Sequence, residues 1–132
     1  MQIQEPIDTG FSFDNSFARS LHNFYVLCDA ASAPSPKLLL FNYNLAKELG
    51  LEPSMLNSEA GSAIFSGNVI LEGAEPLAQV YAGHQFGGFS PQLGDGRALL
   101  LGEVIDTLGL RRDIQLKGSG RTPFSRGGDG KA

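Results

Sequence analysis

The sequence is poor in the residues that build disulfide frameworks, metal centres and membrane spans. Cys28 is the single cysteine, which excludes an internal disulfide and a cysteine-rich metal site. The two histidines are not grouped with cysteines or paired acids at ligand spacing, so no transition-metal site is indicated. No apolar run approaches the roughly 20 residues that a membrane-spanning helix requires.

A targeting signal is also missing from the beginning of the sequence. Residues 1–15 contain acids, but neither a basic cluster nor an apolar stretch, so we expect neither a secretory signal nor a transit peptide. Together with the single cysteine, this favours a cytoplasmic protein that does not engage a membrane. A chain of 132 residues has the length of one domain, which buries roughly two-thirds of its unfolded surface.

Basic residues are scarce except near the C-terminal end. The net charge is −4, yet residues 111–132 carry six basic residues against two acids. The six are Arg111, Arg112, Lys117, Arg121, Arg126 and Lys131. An acidic protein with one basic, glycine-rich tail does not resemble a general nucleic-acid binder. The pattern favours a focused anion site, and the alternative is a solvated basic loop.

The first half of the sequence shows helical signals. Phenylalanines and leucines recur at helical spacing over residues 11–27, which predicts an amphipathic helix with Asp14 or Asn15 as its N-cap. The following segments predict a short strand over residues 37–41, a helix over residues 44–49 capped by Asn42 or Asn44 and closed by Gly50, a helical turn from Pro53 to Leu56, and a loop over residues 57–62.

The second half is rich in glycine and loses helical periodicity. Strands are predicted over residues 77–81, 85–89, 98–105 and 113–117. We therefore expect an α+β fold in which a small antiparallel sheet with a glycine-rich hairpin packs against N-terminal helices.

The region around residues 92–117 carries the strongest functional signal. The sequence Gly94-Asp95-Gly96-Arg97 lies between two strand-like runs and predicts a tight hairpin turn, since glycine reaches positive φ without steric cost. Such a turn also lets an anion approach backbone N–H groups. Arg97 adds a planar guanidinium that can donate hydrogen bonds to phosphate oxygens, and Lys117 at the end of a later strand adds a compact positive charge. The spacing suggests a loop folded over nucleotide phosphates.

Two common nucleotide motifs are absent. Gly94 and Gly96 are followed by a strand-like run, whereas a dinucleotide fingerprint would open a helix. A phosphate-binding loop ending at Lys131 would need glycine at position 125, where the chain has Ser125. The segment 117–131 is rich in donors and glycine, and is interpreted as a phosphate and sugar cradle with a turn at Asp129, or as a flexible loop.

Several long motifs resemble the selenoprotein O family of protein adenylyltransferases. They are YAGHQFG, QLGDGR, LKG and GDG in that order, with FDNSFAR near the start and IFSGN at residues 64–68. The resemblance implies a protein-kinase-like N-terminal lobe and an enzyme that binds ATP in a flipped orientation. Such enzymes transfer AMP to Ser, Thr or Tyr hydroxyls of protein substrates, with Mg²⁺ neutralising the phosphates.

The resemblance also assigns site residues. The nucleotide contacts it implies are Gly94, Gly96, Arg97, Lys117, Asp129 and Gly130. It implies one nucleotide-binding lobe over residues 1–132, with a helical extension over residues 1–62 and a glycine-rich β part over residues 63–132. The second lobe, the catalytic base and the metal ligands are expected beyond Ala132, so we expect this chain alone to be inactive. The alternatives are a non-catalytic ATP- or phosphate-binding module and a structural interaction domain.

Overall fold

The computed structural model describes residues 2–3, 9–85 and 88–131. Within these ranges the elements are short. The helices are α1 (Ser16–Ser20), a 3₁₀ turn (His22–Phe24), α2 (Tyr43–Glu48), α3 (Pro53–Leu56) and α4 (Glu59–Phe65). The strands are β1 (Gln2–Ile3), β2 (Tyr25–Leu27), β3 (Val69–Ile70), β4 (Leu77–Gln85), β5 (Gly88–Gly94), β6 (Ala98–Ile105) and β7 (Arg111–Lys117). The mixture confirms the α+β class.

The main sheet is antiparallel and centres on β4 and β6. Its order is β2-β4-β6-β7, and β5 also pairs with β4. The longest ladder joins β6 to β7, from Ala98 opposite Lys117 to Ile105 opposite Arg111. A separate parallel pair joins β1 to β3. The small antiparallel sheet predicted from the sequence is therefore confirmed.

The segment at residues 94–97 is a bulge, and the hairpin turn predicted there is wrong. Both β5 and β6 run antiparallel to β4, with Val80 opposite Gly94 and Leu77 opposite Leu100. Between those two pairs, the N–H of Asp95 donates to the carbonyl of Gln79 at 3.0 Å. The chain therefore continues along one edge of β4, and the residues after Asp95 loop out of the ladder. The Asp-Gly sequence indicates only a local bend. Whether that bend is a hairpin turn or a bulge depends on pairing with another strand, here β4.

The core lies on both faces of the sheet. On one face, Leu77 and Leu100 are buried against Ala18 of α1. On the other, Leu99 is buried, and Ile64 of α4 faces the same cavity as Leu99. Strand β6 is therefore covered on both sides, which explains why its run of leucines reads as strand without alternation. The packing of helices against the sheet agrees with the prediction.

Helix α2 confirms its predicted caps. The side chain of Asn42 accepts a hydrogen bond from the N–H of Leu45 at 2.9 Å. Gly50 follows the last residues of the helix with φ +78°, the left-handed conformation that glycine adopts most readily. Helix α3 likewise begins at Pro53, where the missing N–H costs no helical hydrogen bond.

Three of the predicted elements are wrong. The helix over residues 11–27 ends at Ser20, and residues 25–27 instead form β2 because they pair with β4. Residues 37–41 are not a strand; Leu39 and Leu40 are 89% and 92% exposed. The loop predicted at residues 57–62 contains the start of α4, whose first turn is capped by Ser58. Pairing with β4 outweighed helical spacing at residues 25–27, and the capping hydroxyl of Ser58 outweighed local composition at the start of α4.

Two further sequence predictions have a different outcome. The strand expected over residues 85–89 spans residues 86 and 87, which lie outside the described residues; β4 ends at Gln85 and β5 begins at Gly88. The division into parts at residues 62 and 63 stays a prediction. Of the helices within the described ranges, none has the length and apolarity needed to cross a bilayer.

Candidate anion-binding site

The glycine bulge lies beside the end of β7. Lys117 stands opposite Ala98 in the β6–β7 ladder. The next residue, Gly118, donates its N–H to the carbonyl of Arg97 at 2.7 Å. The backbones of Arg97 and Lys117 are therefore neighbours, and both residues are exposed.

The predicted turn at Asp129 and Gly130 reaches the same region. The N–H of Gly120 donates to the carbonyl of Gly130 at 3.0 Å. An isolated antiparallel β-bridge pairs the backbones of Ser119 and Lys131. A Cβ at position 130 would lie 1.9 Å from the carbonyl oxygen of Gly120, and φ at this position is +71°. Only glycine fits there. Asp129 is exposed, with one carboxylate oxygen accepting the N–H of Lys131 at 3.0 Å.

Three successive carbonyls of the bulge are bound by the segment that follows β7. The hydroxyl of Thr122 donates to the carbonyl of Asp95, and the hydroxyl of Ser125 donates to the carbonyl of Gly96 at 2.6 Å. The carbonyl of Arg97 is bound by Gly118, as described above. All three carbonyls therefore point towards residues 118–125.

The orientation of these carbonyls determines the orientation of the neighbouring amides. In a planar trans peptide, the N–H points opposite to the C=O of the preceding residue. The N–H groups of Gly96 and Arg97 consequently point away from residues 122–125. Within the part of the chain that the structure describes, no residue accepts a hydrogen bond from either N–H. Two such amides beside exposed cations are suited to an anion.

An aromatic ring fills the space under the bulge. A Cβ at Gly94 would lie 2.2 Å from Cγ of Phe124, and one at Gly96 would lie 3.1 Å from the Phe124 carbonyl oxygen. Close packing against the segment after β7 therefore excludes a side chain at Gly94 unless the Phe124 ring moves, and leaves little room for one at Gly96. The sequence predicted glycine here for turn formation, and the structure gives a different physical reason.

Asp95 faces the sheet from within the bulge. Its carboxylate accepts the N–H of Gln79 at 3.2 Å, and partial burial raises the pKa of the Asp95 carboxyl above its ordinary value. The hydrogen bond from Gln79 opposes this shift without cancelling it. Asp95 therefore fastens the bulge to β4.

Basic residues lie at both ends of β7. Arg111 forms an ion pair with Asp14 at 2.6 Å, and Arg112 with Asp106 at 3.0 Å. The side chain of Asp106 is inaccessible, and the N–H of Leu110, followed by other donors, holds the pKa of its carboxyl below the ordinary value. These two arginines are structural, so the six basic residues do not form one anion site.

The cations at the other end of the strand are differently placed. Among the described residues, no carboxylate forms an ion pair with the members of this second group: Arg97, Lys117, Arg121 and Lys131. Arg111 and Lys117 lie roughly 20 Å apart along the strand. The positive charge that remains for an anion is therefore concentrated beside the bulge.

The structure brings the backbones of the six predicted site residues into one region, and their role in nucleotide binding stays a prediction. Sequence reasoning missed Gly118, Thr122, Phe124 and Ser125. The donors and glycines of segment 117–131 predict a phosphate and sugar cradle or a flexible loop, and no local pattern indicates which hydroxyl bonds to which carbonyl.

The acidic residues near the bulge do not form a cluster suited to Mg²⁺ within the described residues. No group of three or more His, Cys, Asp or Glu residues lies together in the described ranges. Asp95 is turned towards β4, and Asp129 is bound to its own turn. The described residues do not by themselves form a Mg²⁺ site, so the metal and its ligands remain an expectation from the resemblance.

This α+β chain has a candidate phosphate-binding site, formed by the glycine bulge with its two amides that lack a described acceptor and by the exposed cations beside it. The sequence model of the family described as Protein adenylyltransferase SelO matches residues 9–132. The chain therefore belongs to the SelO family of protein adenylyltransferases.

Relatives with high identity agree with that assignment. Proteins named protein nucleotidyltransferase YdiU are similar to this chain in several bacteria. The relative from Cereibacter sphaeroides ATCC 17029 is 68% identical over 122 residues, covering 92% of this chain and 25% of the relative. The relative from Nitrobacter hamburgensis is 60% identical over 120 residues, covering 91% and 24%. The chain spans about a quarter of the length of the curated relatives it matches.

Proposed function

We propose that this chain carries the phosphate-binding part of the ATP site of a protein adenylyltransferase. The observation that carries the proposal is the pair of N–H groups at Gly96 and Arg97, which point away from residues 122–125 and have no acceptor among the described residues. Family membership and the names of the relatives support nucleotidyl transfer as the reaction class.

The charges beside the bulge support an oligophosphate as the ligand. A guanidinium can bind phosphate oxygens in a two-pronged geometry, and an ammonium supplies a compact positive charge. Arg97 and Lys117 are exposed and neighbouring, and neither is neutralised by an ion pair within the described residues. The β- and γ-phosphates of ATP carry most of the negative charge that such a pair would bind.

In the proposed reaction, a protein hydroxyl oxygen of Ser, Thr or Tyr attacks the α-phosphorus of ATP. The bond from that phosphorus to the oxygen bridging to the β-phosphate breaks, pyrophosphate leaves, and a base accepts the hydroxyl proton. Amides and cations around the β- and γ-phosphates would stabilise the leaving group, because preorganised dipoles and charges act where negative charge develops.

This chain supplies only part of that machinery in our proposal. The base and the Mg²⁺ ligands would come from other parts of the family's sequence, which is about four times longer in the relatives. The sheet and its helices would form the N-terminal lobe of a kinase-like fold. We therefore expect the chain to bind ATP without transferring AMP.

The test is an isothermal titration of the chain with ATP. Arg97→Ala and Lys117→Ala should each weaken binding about tenfold or more, because each removes a charged phosphate partner. Lys37→Ala is the matched control for Lys117→Ala, since it removes an ammonium from an exposed position elsewhere that has no ion pair within the described residues, and Arg19→Ala removes an exposed guanidinium that pairs with Asp14. A wild-type chain that does not bind ATP, or site variants that bind like the controls, would contradict the proposal.

A second candidate function is a non-catalytic ATP- or phosphate-binding module, because amides without an acceptor and exposed cations support binding and do not by themselves indicate transfer. Incubation with ATP labelled at the α-phosphate and a carrier protein separates chemistry from binding. Transfer of label by this chain alone would refute our expectation that it is inactive. Full-length protein that binds ATP and transfers no label would favour the second function.

A further inference from the structure

Two hydroxyls that follow β7 contact the bulge directly. Thr122 is 6% exposed, and its hydroxyl donates to the carbonyl of Asp95. Ser125 donates to the carbonyl of Gly96 at 2.6 Å. Both bonds join groups more than twenty residues apart in sequence. They therefore determine how the segment after β7 is placed on the bulge.

The two hydroxyl oxygens also accept hydrogen bonds from backbone N–H groups within residues 122–125. The N–H of Thr122 donates to the hydroxyl oxygen of Ser125 at 2.8 Å, and the N–H of Phe124 donates to the hydroxyl oxygen of Thr122 at 3.1 Å. Each hydroxyl thus accepts one hydrogen bond and donates another. A hydroxyl that accepts from a fixed amide has its own proton directed elsewhere, and such chains strengthen one another.

We propose that Thr122 and Ser125 are positioning residues that keep the N–H groups of Gly96 and Arg97 directed at a phosphate. This inference rests on the proposed function. The carbonyl bound by Thr122 belongs to the same peptide unit as the N–H of Gly96, and the carbonyl bound by Ser125 to the same unit as the N–H of Arg97. Each hydroxyl therefore orients one phosphate-facing amide through a rigid plane.

The peptide units on either side of Gly96 need these hydrogen bonds to fix their orientation, because glycine permits them to rotate. Glycine reaches both signs of φ with little difference in energy, so a peptide unit beside Gly96 can rotate. A rotated unit would present its carbonyl oxygen where the N–H had been, and would repel a phosphate. The two hydroxyls hold the binding orientation before the ligand arrives, which lowers the cost of binding.

The experiment compares variants that lose one hydroxyl each. Thr122→Val and Ser125→Ala should each weaken ATP binding about three- to tenfold in titration calorimetry, well below the melting temperature. Thr122→Ser keeps the hydroxyl and should bind like wild type. Thr107→Val and Ser66→Ala are controls, since their hydroxyls bind the carbonyls of Glu48 and Ala63 outside the site.

A purely structural role would lower stability in the same way for site variants and controls, and would leave ATP affinity unchanged in all of them. That result would overturn the proposal. A second readout needs no nucleotide. In nucleotide-free protein, the amide NMR signals of Gly96 and Arg97 should shift or broaden in Thr122→Val and Ser125→Ala and stay in place in both controls.

The two readouts separate the two proposals. If wild-type chain does not bind ATP, the proposed function fails, and the nucleotide-free spectra still decide whether the hydroxyls orient these amides. If wild-type chain binds ATP and both site variants bind equally well, the positioning role fails while the proposed function stands.

Discussion

Replacing Gly94 by alanine should destabilise the protein through one identifiable contact. The new Cβ would lie 2.2 Å from Cγ of Phe124, and 2.5 and 2.6 Å from the two ring Cδ atoms. Gly94 is not among the residues with positive φ, so alanine fits the backbone conformation itself. The cost therefore comes from displacing the aromatic ring.

The expected magnitude follows from two opposing effects. Overpacking of this kind costs about 1–3 kcal/mol. Replacing glycine by alanine in a strand also restricts the unfolded chain, which stabilises the folded state by about 0.5–1 kcal/mol. We therefore expect Gly94→Ala to lower the free energy of unfolding by about 1–2 kcal/mol.

Urea denaturation followed by far-UV circular dichroism measures this change. The decisive comparison is a double-mutant cycle with Phe124→Ala, which removes the ring. In that background, Gly94→Ala should be neutral or stabilising, because the contact no longer exists. An equal cost of Gly94→Ala in both backgrounds would refute the packing of Phe124 on the bulge.

Three further predictions concern single positions. Gly130→Ala should unfold the turn against Gly120 and abolish ATP binding, because both φ at this position and the contact with the Gly120 carbonyl exclude a side chain. Thermal unfolding and ATP titration measure the two effects, and near-native stability would contradict the prediction. Because the pKa of Asp95 is raised, wild type should lose stability relative to Asp95→Asn as the pH rises through about 4. Urea denaturation at several pH values measures this, and a stability difference between the two proteins that does not change with pH would contradict it. The lowered pKa of Asp106 has the opposite sign: Asp106→Asn should be less stable than wild type at pH 7, and the two should converge as the pH falls below about 4. A difference that persists in acid would count against stabilisation of the Asp106 carboxylate by the amides of Leu110 and Leu108 and by Arg112.

Local signals predicted the elements whose ends are determined by their own residues. Strand β6 has the predicted bounds, and β7 begins two residues earlier than predicted. Helix α2 follows its Asn42 cap and its Gly50 end. In each of these elements, the deciding contact lies within a few residues along the chain, or the apolar run is long enough to be unambiguous.

The errors have the opposite character. The apolar run at Leu39 and Leu40 predicts a strand, although no strand pairs with it within the described residues. The Asp-Gly signal after Gly94 predicts a hairpin turn, whereas pairing of β4 with both flanking strands makes this segment a bulge. Pairing between distant segments cannot be derived from local composition.

The candidate site shows the same division. Arg97 and Lys117 could be proposed from their positions beside glycines and at a strand end. The roles of Thr122 and Ser125 could not, because each depends on a hydrogen bond to a carbonyl that lies far away in sequence. The ion pair of Arg111 likewise depends on an acid from a distant segment, Asp14, whereas Arg112 pairs with Asp106 only six residues away.

The central claim is that backbone amides of the bulge bind the phosphates of ATP. A titration of ¹⁵N-labelled protein with ATP, followed by two-dimensional amide NMR, tests this claim most directly. We expect the largest saturable shifts at the N–H groups of Gly96 and Arg97, with smaller shifts at Gly118. Saturable shifts centred on Arg111 and Arg112 instead, with those of Gly96 and Arg97 unchanged, would contradict it.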